Sequence, residues 1–415
     1  MPLRLLIIPD KFKGTLTARQ AAEAIAQGWR ESRPDDVIEL LPMSDGGDGF
    51  GEVIAGLLPV AEQSVRTCTA ARQPHTGKWW WDESSKTAVI ETAQIIGLAL
   101  QPPGRLHPFD LDTFGLGAVF QAAAEKGARS CLVGIGGSAT NDGGFGLARS
   151  LGWEFRDALG RAIEQWTRLE ALSSIHPPSL GAAAASRATY HRRIEELSGP
   201  SPSQAKDLPP VFNDLVIAVD VQNPLLGPNG ASRIYGPQKG LRPEDFALAE
   251  RCLERLAMTV TQDLRLDCAA EPGTGAAGGL GFGLRVFLGG RFAPGFGVFA
   301  RLARLEERLR SAQLVITGEG ALDRSSLMGK GVGMIADLCA KRGIPCLGMA
   351  GSLESATFSE VAQPPFARTA SICPRLTTAD QAKEKPAFWL QKLSAEVAEE
   401  WSALIPTPEV ARESR

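Results

Sequence analysis

The stretch LRLLIIPDKFKGTLTARQ (3–20) decides the architecture at the start of the chain. Its first part, LRLLII (3–8), is a short apolar run that ends at Pro9, and this pattern predicts a buried strand. Thr17 and Gln20 then form the T-x-x-Q pattern of a capping box, so a helix is predicted to begin after Thr17. The chain therefore opens as a strand, a polar loop and a helix.

The same order of elements recurs along the chain. VIELLPM (37–43) predicts a second strand, SDGGDG (44–49) the loop after it, and FGEVIAGLL a second helix. Beyond about residue 290 the rhythm returns, with a strand at QLVITG (313–318), a loop at GEGALD and a helix over about 328–341. Such alternation favours a parallel sheet with helices packed on it.

Between these two parts the pattern differs. QSVRTC, GKWWWD and TAVIE are short runs separated by polar turns, as in a β-meander, and a helix and the strand SCLVGI follow. We therefore predict an α/β fold in which 1–60 and 290–405 form one domain and 61–289 form an inserted α/β domain. Residues 177–210, rich in Ala, Ser and Pro, are predicted to be a loop or a partly disordered excursion, and 406–415 a frayed tail.

Composition argues against several classes of protein. A net charge of −3 offers no bulk attraction to nucleic acid or to an anionic membrane surface. No run approaches the ~18 apolar residues that span a membrane, and the run at the N-terminus is too short for a signal peptide. Seven scattered cysteines without a CxxC pattern predict reduced thiols in a cytoplasmic protein. The four histidines are not paired at metal-ligand spacing, which argues against a zinc site.

Charged residues occupy the first two loops after strands. In open parallel sheets, ligands bind beyond the carboxyl ends of the strands. PDKFKG (9–14) lies beside a helix start, whose backbone N–H groups suit a phosphate or a carboxylate. The two aspartates of SDGGDG could reach Mg²⁺ directly or through water. Each loop can also be interpreted as an ordinary connection, with glycines at positive φ.

GIGGSATNDGG (134–144) is the densest glycine segment, with five glycines among eleven residues. Successive glycines can direct several backbone N–H groups inward as an anion-binding nest. The segment lacks the glycine at position 140 that a nucleophile elbow needs, and it lacks the Gly-Lys-Ser/Thr of a Walker loop. Because a turn rarely needs so many polar groups beside its glycines, a ligand loop is favoured over a tight crossing.

Four further segments carry polar or glycine-rich loops. DVQNPLLGPNGASRIYGPQKG (220–240) follows a strong strand and is interpreted as a Gly/Pro-rich loop that could supply a bidentate arginine. PGTGAAGGLGFGL (272–284) contains G-x-G-x-x-G, but no convincing strand precedes it, so NAD binding is rejected. A glycine-rich helix start or close helix packing remains for that segment. VITGEGALDRSSLMGKG (315–331) is a strand followed by a polar loop, and it is not a P-loop. GMAGSL (348–353) ends the next strand. Several anion-binding loops with spare aspartates suit phosphoryl transfer.

Taken in order, PDKFKGTLTA, SDGGDG, GIGGSATNDGG, DVQNPLLGPNGASRIYGPQKG, PGTGAAGG and VITGEGALD resemble the bacterial type-1 glycerate kinase family, over about residues 3–395. The resemblance implies phosphorylation of D-glycerate with ATP and Mg²⁺, in many members at the 2-hydroxyl. It implies a flavodoxin-like parallel-sheet domain interrupted by a mixed-sheet domain similar to the restriction-endonuclease core. The chain departs from the family pattern at Lys11, where the first loop usually carries serine, and in the length of 177–210.

The resemblance also suggests roles for the candidate residues. The expected catalytic residues are Asp10, Lys13, Asp45, Asp220 and Arg233. Lys13 and Arg233 would clamp carboxylate or phosphate, and carboxylates would serve as the base or hold Mg²⁺. The candidate metal ligands are Asp45, Asp48 and Asp220. The expected substrate- or phosphate-binding residues are Gly136, Gly137, Ser138, Asn141, Asp142, Ser232 and Lys239. The expected nucleotide-binding residues are Gly318, Glu319, Gly320, Asp323, Gly351 and Ser352.

Two alternatives stay open. A rotated glycerate would present its 3-hydroxyl and give 3-phospho-D-glycerate. A non-catalytic sugar-acid-binding protein is the alternative of another class, although it would not need so many aspartates beside anion-binding loops. The expected partners are D-glycerate and ATP, without nucleic acid or membrane, in a monomer or homodimer. Whether 134–144 binds the carboxylate of glycerate or the phosphate of ATP is also open.

Overall fold

The structure is a computed structural model that describes residues 2–102, 106–178, 212–327, 331–354 and 365–404. The predicted tail at 406–415 and nearly all of the 177–210 excursion lie outside the described residues. The strands are β1 (Arg4–Ile7), β2 (Val37–Leu40), β3 (Ala61–Cys68), β4 (Pro74–Asp82), β5 (Thr87–Glu91), β6 (Ser130–Gly134), β7 (Glu154–Asp157), β8 (Leu172–His176), β9 (Asp214–Ala218), β10 (Arg291–Ala293), β11 (Leu314–Leu322), β12 (Cys346–Leu353) and β13 (Arg368–Cys373).

The α-helices alternate with these strands at both ends of the chain. They are α1 (Ala18–Ser32), α2 (Phe50–Ala55), α3 (Ala93–Ile96), α4 (Leu116–Glu125), α5 (Phe145–Ser150), α6 (Ala231–Lys239), α7 (Phe246–Leu264), α8 (Ala276–Phe287), α9 (Gly295–Leu302), α10 (Leu305–Ser311), α11 (Gly331–Arg342), α12 (Ala379–Glu384) and α13 (Pro386–Leu404). In the part of the chain that the structure describes, none of these helices has both the length and the apolar character needed to cross a membrane.

The chain divides into two compact units. Unit 1 is formed by Met1–Ser44 and Phe299–Arg415, and unit 2 by Asp45–Val298. The unit limits in the structure, after Ser44 and before Phe299, differ from the limits predicted from the sequence, at residues 60 and 290. Two contacts account for the difference: α2 packs on β4 and β5, and β10 pairs with β9, so both segments belong to unit 2.

Unit 1 is built on a five-stranded sheet in the order β2-β1-β11-β12-β13, and every neighbouring pair is parallel. Counted along the chain within this unit, the order is 2-1-3-4-5, which is the strand order of flavodoxin-like sheets. The capping box is present, because Thr17 Oγ1 accepts from Gln20 N at 3.2 Å and Gln20 Oε1 accepts from Thr17 N at 3.0 Å. The α1 helix then buries Ile25 and Trp29 in the core of the unit.

Unit 2 is built on a six-stranded mixed sheet in the order β10-β9-β6-β5-β4-β3. The meander predicted after residue 60 is present, since β3 pairs antiparallel with β4 and β4 with β5. The other neighbours are parallel, and β7 and β8 form a separate antiparallel hairpin. The prediction of an α/β fold, with a parallel sheet and a separate mixed sheet, is therefore confirmed.

Two local predictions are wrong. The 220–240 segment is not a continuous loop, because residues 231–239 form α6 with Pro237 inside it. Gly230 begins this helix and Gly240, at φ 105°, ends it, so the glycines mark helix limits. The second difference concerns β11 and β12, which continue through the expected loops at 318–320 and 351–352. They stay paired in parallel register from Val315↔Cys346 to Leu322↔Leu353.

Candidate functional site

The first group of candidate residues lies at the carboxyl ends of β1, β11 and β12 in unit 1. Asp10 is half-buried, and its backbone N–H donates to Gly318 O at 2.9 Å. Its Oδ1 accepts from Lys11 N at 2.7 Å. Lys13 is exposed in a tight turn that two backbone hydrogen bonds between Phe12 and Leu16 close. It lies five positions before Ala18, the first residue of α1.

The glycines of unit 1 allow three backbone segments to lie close together. A Cβ on Gly351 would be 2.5 Å from Gly320 O, so the extended strands β11 and β12 could not approach this closely with larger residues. A Cβ on Gly320 would in turn be 3.2 Å from Lys13 N. The structure therefore brings Asp10, Lys13 and the β11–β12 ends to one edge of this sheet.

The remaining nucleotide-site candidates lie at the same edge. Asp323 and Ser326 cap each other, because Asp323 N donates to Ser326 Oγ at 3.1 Å and Ser326 N donates to Asp323 Oδ1 at 3.2 Å. Glu319 is half-buried, and Ser352 is exposed at the position paired with Ala321. Besides backbone groups, this edge thus presents the carboxylate of Glu319 and the hydroxyl of Ser352.

In unit 2, Asp45 lies close enough to Asp220 to affect its pKa. Asp220 Oδ2 accepts from Phe296 N at 2.9 Å, which caps the N-terminus of α9. Burial and the negative charge of Asp45 raise the pKa of Asp220 to about 6, against the hydrogen bonds from Phe296 and Gly295. Asp45 forms its own turn by accepting from Gly47 N at 3.2 Å. The pair is a concentration of negative charge at the end of β9.

The carboxylate of Asp48 lies against the glycine-rich segment after β6. A Cβ on Gly137, whose φ is 77°, would overlap the Asp48 carboxylate, so only glycine allows this approach. The adjoining Gly136 N donates to Gly46 O at 3.0 Å. The expected anion nest is thus packed against the 45–49 loop.

Glu91 is a residue that the sequence reasoning missed. It is 2% exposed at the end of β5, and its carboxylate accepts from Gly49 N and Gly51 N, both at 2.9 Å. These bonds occupy the N-terminus of α2. Burial raises the pKa of Glu91, with a further contribution from Asp48. The only signal in the sequence was an acidic residue directly after the apolar run TAVI.

Asp142 caps α5. It is 0% exposed and accepts from Thr113 N at 2.9 Å, Thr113 Oγ1 at 2.8 Å, Gly146 N at 2.9 Å and Gly144 N at 3.2 Å. Burial and the charge of Asp112 raise its pKa to about 6, against these hydrogen bonds. The carboxylate therefore holds the end of the 134–144 segment onto Thr113.

The other polar residues of this segment bond to one another or to α6. Ser138 Oγ lies 2.9 Å from Thr140 Oγ1. Asn141 Nδ2 donates to Ser232 Oγ at 3.0 Å, and Lys239 Nζ donates to Thr140 O at 2.6 Å. Lys239 is 7% exposed, and burial lowers its pKa to about 7, against the charge of Asp142.

Arg233 stands apart from these buried contacts. It is exposed on the first turn of α6, and its guanidinium carbon lies 5.5 Å from the centre of the Phe246 ring. The structure therefore places Asn141 against Ser232 and Thr140 against Lys239, with Asp142 close enough to act on the charge of Lys239. It leaves Arg233 as an accessible cation beside them.

The fit of Mg²⁺ can be judged from the donor set. Among the described residues, no cluster of three or more His, Cys, Asp or Glu side chains is arranged to hold a metal ion. Mg²⁺ commonly uses only one or two carboxylates, together with waters and substrate phosphates. Asp45 meets that requirement, and a cation bound to it would relieve its repulsion of Asp220.

Comparison with known proteins gives one consistent family. The profile of the "Glycerate kinase family" matches residues 5–191 and 178–402. Glycerate 2-kinase of Escherichia coli K12 is 35% identical over 85% of this chain and 86% of its own length. Glycerate kinase of Halalkalibacterium halodurans is 32% identical over 95% of this chain and 97% of its own length. A crystal structure of a Salmonella typhimurium LT2 protein assigned as glycerate kinase 2 is 30% identical. It superposes with a TM-score of 0.72 over 97% of this chain and 99% of its own.

Proposed function

Because the chain belongs to the glycerate kinase family, a family of phosphotransferases, we propose that it phosphorylates the 2-hydroxyl of D-glycerate with ATP. The products would be 2-phospho-D-glycerate and ADP. The name of the E. coli relative, glycerate 2-kinase, supports the choice of hydroxyl. The observation that carries the proposal is the carboxylate of Asp220, which caps α9 just past the carboxyl end of β9 and is affected by the charge of Asp45.

Asp220 is proposed as the general base. The 2-hydroxyl oxygen forms a bond to the γ-phosphorus of ATP, the bond to the bridging oxygen of ADP breaks, and the hydroxyl proton passes to Asp220. A base with a pKa of about 6 is mostly ionised at pH 7 and still holds a proton well enough to take it during transfer. The two backbone N–H groups on its carboxylate fix its direction.

Asp45, with Asp48 near it in the chain, is proposed to hold Mg²⁺, which would neutralise charge on the transferring phosphate. Glu91 fixes the loop that carries both aspartates, since it binds Gly49 N and Gly51 N. Exposed Lys13 and Arg233 are proposed to bind carboxylate or phosphate oxygens. Asp10 is a further catalytic candidate.

The edge formed by Gly318, Glu319, Gly320, Asp323, Gly351 and Ser352 is proposed to bind the nucleotide. Ser138, Gly136 and Gly137 are proposed to line the substrate side, where Asp142 and Lys239 shape the segment from within. A cytoplasmic location is proposed as well, because all seven cysteines are free thiols and six of them are buried.

The proposal is tested by following ADP release from ATP and Mg²⁺ with and without D-glycerate. ADP release that depends on D-glycerate is expected, and Asp220→Asn should lower kcat by about 10²–10⁴-fold because the base is lost. Asp214→Asn is the matched control, since Asp214 is the first residue of β9, the strand that leads to Asp220, and its partly exposed side chain pairs with Arg291. If both variants keep wild-type kcat, Asp220 is not the base. If D-glycerate does not stimulate ADP release by the wild-type protein, the proposed activity is wrong.

A further inference from the structure

The carboxamide of Asn141 has one polar atom in use and one without a partner. Its Nδ2 donates to Ser232 Oγ at 3.0 Å. Its Oδ1 is buried, and in the described part of the chain it has no hydrogen-bond partner. The residue is 0% exposed, and leaving a buried acceptor unpaired is costly. Oδ1 is therefore an acceptor that requires a donor.

The bond to Ser232 places this carboxamide at the N-terminus of α6. Ser232 is the second residue of that nine-residue helix. Ala231 N bonds to Leu225 O, and Ile234 N is the donor to Gly230 O, so the N–H groups of Ser232 and Arg233 have no acceptor one turn earlier in the helix. The helix start also has no side-chain cap and no acidic residue in its first turn.

Three other helices in the described part of unit 2 begin at a carboxylate. Glu91 occupies the start of α2, Asp142 that of α5 and Asp220 that of α9. The start of α6 instead carries Arg233, an exposed cation. Because a helix N-terminus and a guanidinium both attract anions, this end of α6 favours a negatively charged group.

The orphaned acceptor distinguishes between the two anions available in the reaction. Fully ionised phosphate groups of ATP only accept hydrogen bonds, so they offer nothing to Oδ1 of Asn141. Glycerate carries a carboxylate and two hydroxyls, and each hydroxyl can donate. A ligand with both an anionic group and a hydroxyl donor satisfies the helix terminus and the carboxamide together.

We propose that the N-terminus of α6 and Asn141 form a subsite for a hydroxylated carboxylate, with the carboxylate on Ser232 N and Arg233 and a hydroxyl donating to Oδ1 of Asn141. This rests on the proposed function for its ligand, the acceptor substrate. Because the 2-hydroxyl gives its proton to the base during transfer, the hydroxyl on Asn141 is the 3-hydroxyl. Asn141 then selects which hydroxyl reacts by holding the other one.

The test is calorimetric titration, without nucleotide, of D-glycerate against D-lactate, which differs only in lacking the 3-hydroxyl. The wild-type protein should bind D-glycerate about tenfold to a hundredfold more tightly than D-lactate. In Asn141→Ala that preference should disappear, with the affinity for D-lactate nearly unchanged. Asn229→Ala, which removes an exposed carboxamide from the loop before α6, is the matched control and should keep the preference.

A second variant guards against loss of folding. Asn141→Asp keeps the shape and the acceptor but adds a negative charge. Both ligands should therefore bind more weakly while the preference for D-glycerate remains. Far-ultraviolet circular dichroism and a thermal melt establish that each variant is folded.

Several results would overturn the subsite. One is a preference for D-glycerate that survives in Asn141→Ala. Another is an Asn141→Ala variant that no longer binds ATP or inorganic phosphate but still binds D-glycerate as the wild type does. A third is an Asn141→Ala variant that still prefers D-glycerate to D-lactate but no longer prefers it to 3-hydroxypropionate, which lacks the 2-hydroxyl. Binding of D-glycerate without ADP release would contradict the proposed activity and leave the subsite standing. A wild-type protein that binds no hydroxy acid would contradict both.

Discussion

Replacing Asp142 with alanine is expected to destabilise unit 2 strongly, because this carboxylate is the buried cap of α5. Four donors bond to it at 2.8–3.2 Å: Thr113 N, Thr113 Oγ1, Gly144 N and Gly146 N. The variant leaves these donors unpaired in a site that is 0% exposed. At about 1 kcal/mol for each lost bond, the free energy of unfolding should fall by roughly 4 kcal/mol.

Urea unfolding followed by tryptophan fluorescence measures this change, with two transitions fitted if the units unfold separately. The matched control is Asp110→Ala, which removes an exposed carboxylate from the same unit and should cost less than about 0.5 kcal/mol. A loss below about 1 kcal/mol in Asp142→Ala would refute the capping role. Unchanged stability with a raised KM for D-glycerate would show instead that Asp142 contacts the substrate.

Three further outcomes are expected. Glu91→Gln should destabilise unit 2 by about 1 kcal/mol, measured by the same unfolding assay, because a neutral amide is a weaker cap for α2; an unchanged midpoint would contradict this. The kcat/KM of the wild-type enzyme should fall as pH drops through about 6, since protonated Asp220 cannot accept a proton, and a flat profile from pH 5 to 7.5 would exclude Asp220 as the base. Burial lowers the pKa of Lys239, so its contribution to stability is present above pH 10.5 and is lost as pH falls through about 7. The wild type should therefore gain stability relative to Lys239→Met as pH rises from 7 to 9.5, when the free energies of unfolding of the two are compared. A constant difference between them would show that burial does not lower the pKa of Lys239.

Features set by neighbours in sequence were predictable. The capping box of Thr17 and Gln20 depends on residues three apart, and it forms as predicted. The parallel sheet of unit 1 and the meander of unit 2 follow from apolar runs and the turns between them. These patterns fix the class of each element because hydrophobic periodicity is a local property.

Helix α6 was not predictable from the same signals. Glycine and proline usually mark loops, yet Gly230 and Gly240 bound this helix and Pro237 lies within it. What stabilises the helix is tertiary: Ser232 and Lys239, seven residues apart and thus on one face, contact Asn141 and Thr140. No local window of sequence contains that contact.

The candidate site shows the same division. The sequence places Asp45 and Asp220 at strand ends, where parallel strands bring polar loops together. It does not show that Glu91 closes the start of α2, because the bonded residues are about 40 positions away in the chain. Nor does it separate Asp142, whose carboxylate caps α5, from Asn141, whose carbonyl oxygen has no partner among the described residues. Hydrogen-bond direction emerges only from the folded chain.

The most direct test of the central claim is the product formed from D-glycerate, ATP and Mg²⁺. The reaction mixture is passed to enolase alone and, separately, to enolase with phosphoglycerate mutase. The proposal predicts that enolase alone converts the product to phosphoenolpyruvate, because the phosphate is on the 2-oxygen. Conversion that requires the mutase would identify 3-phospho-D-glycerate and contradict the assignment of the hydroxyl, and no phosphorylated product would contradict the kinase itself.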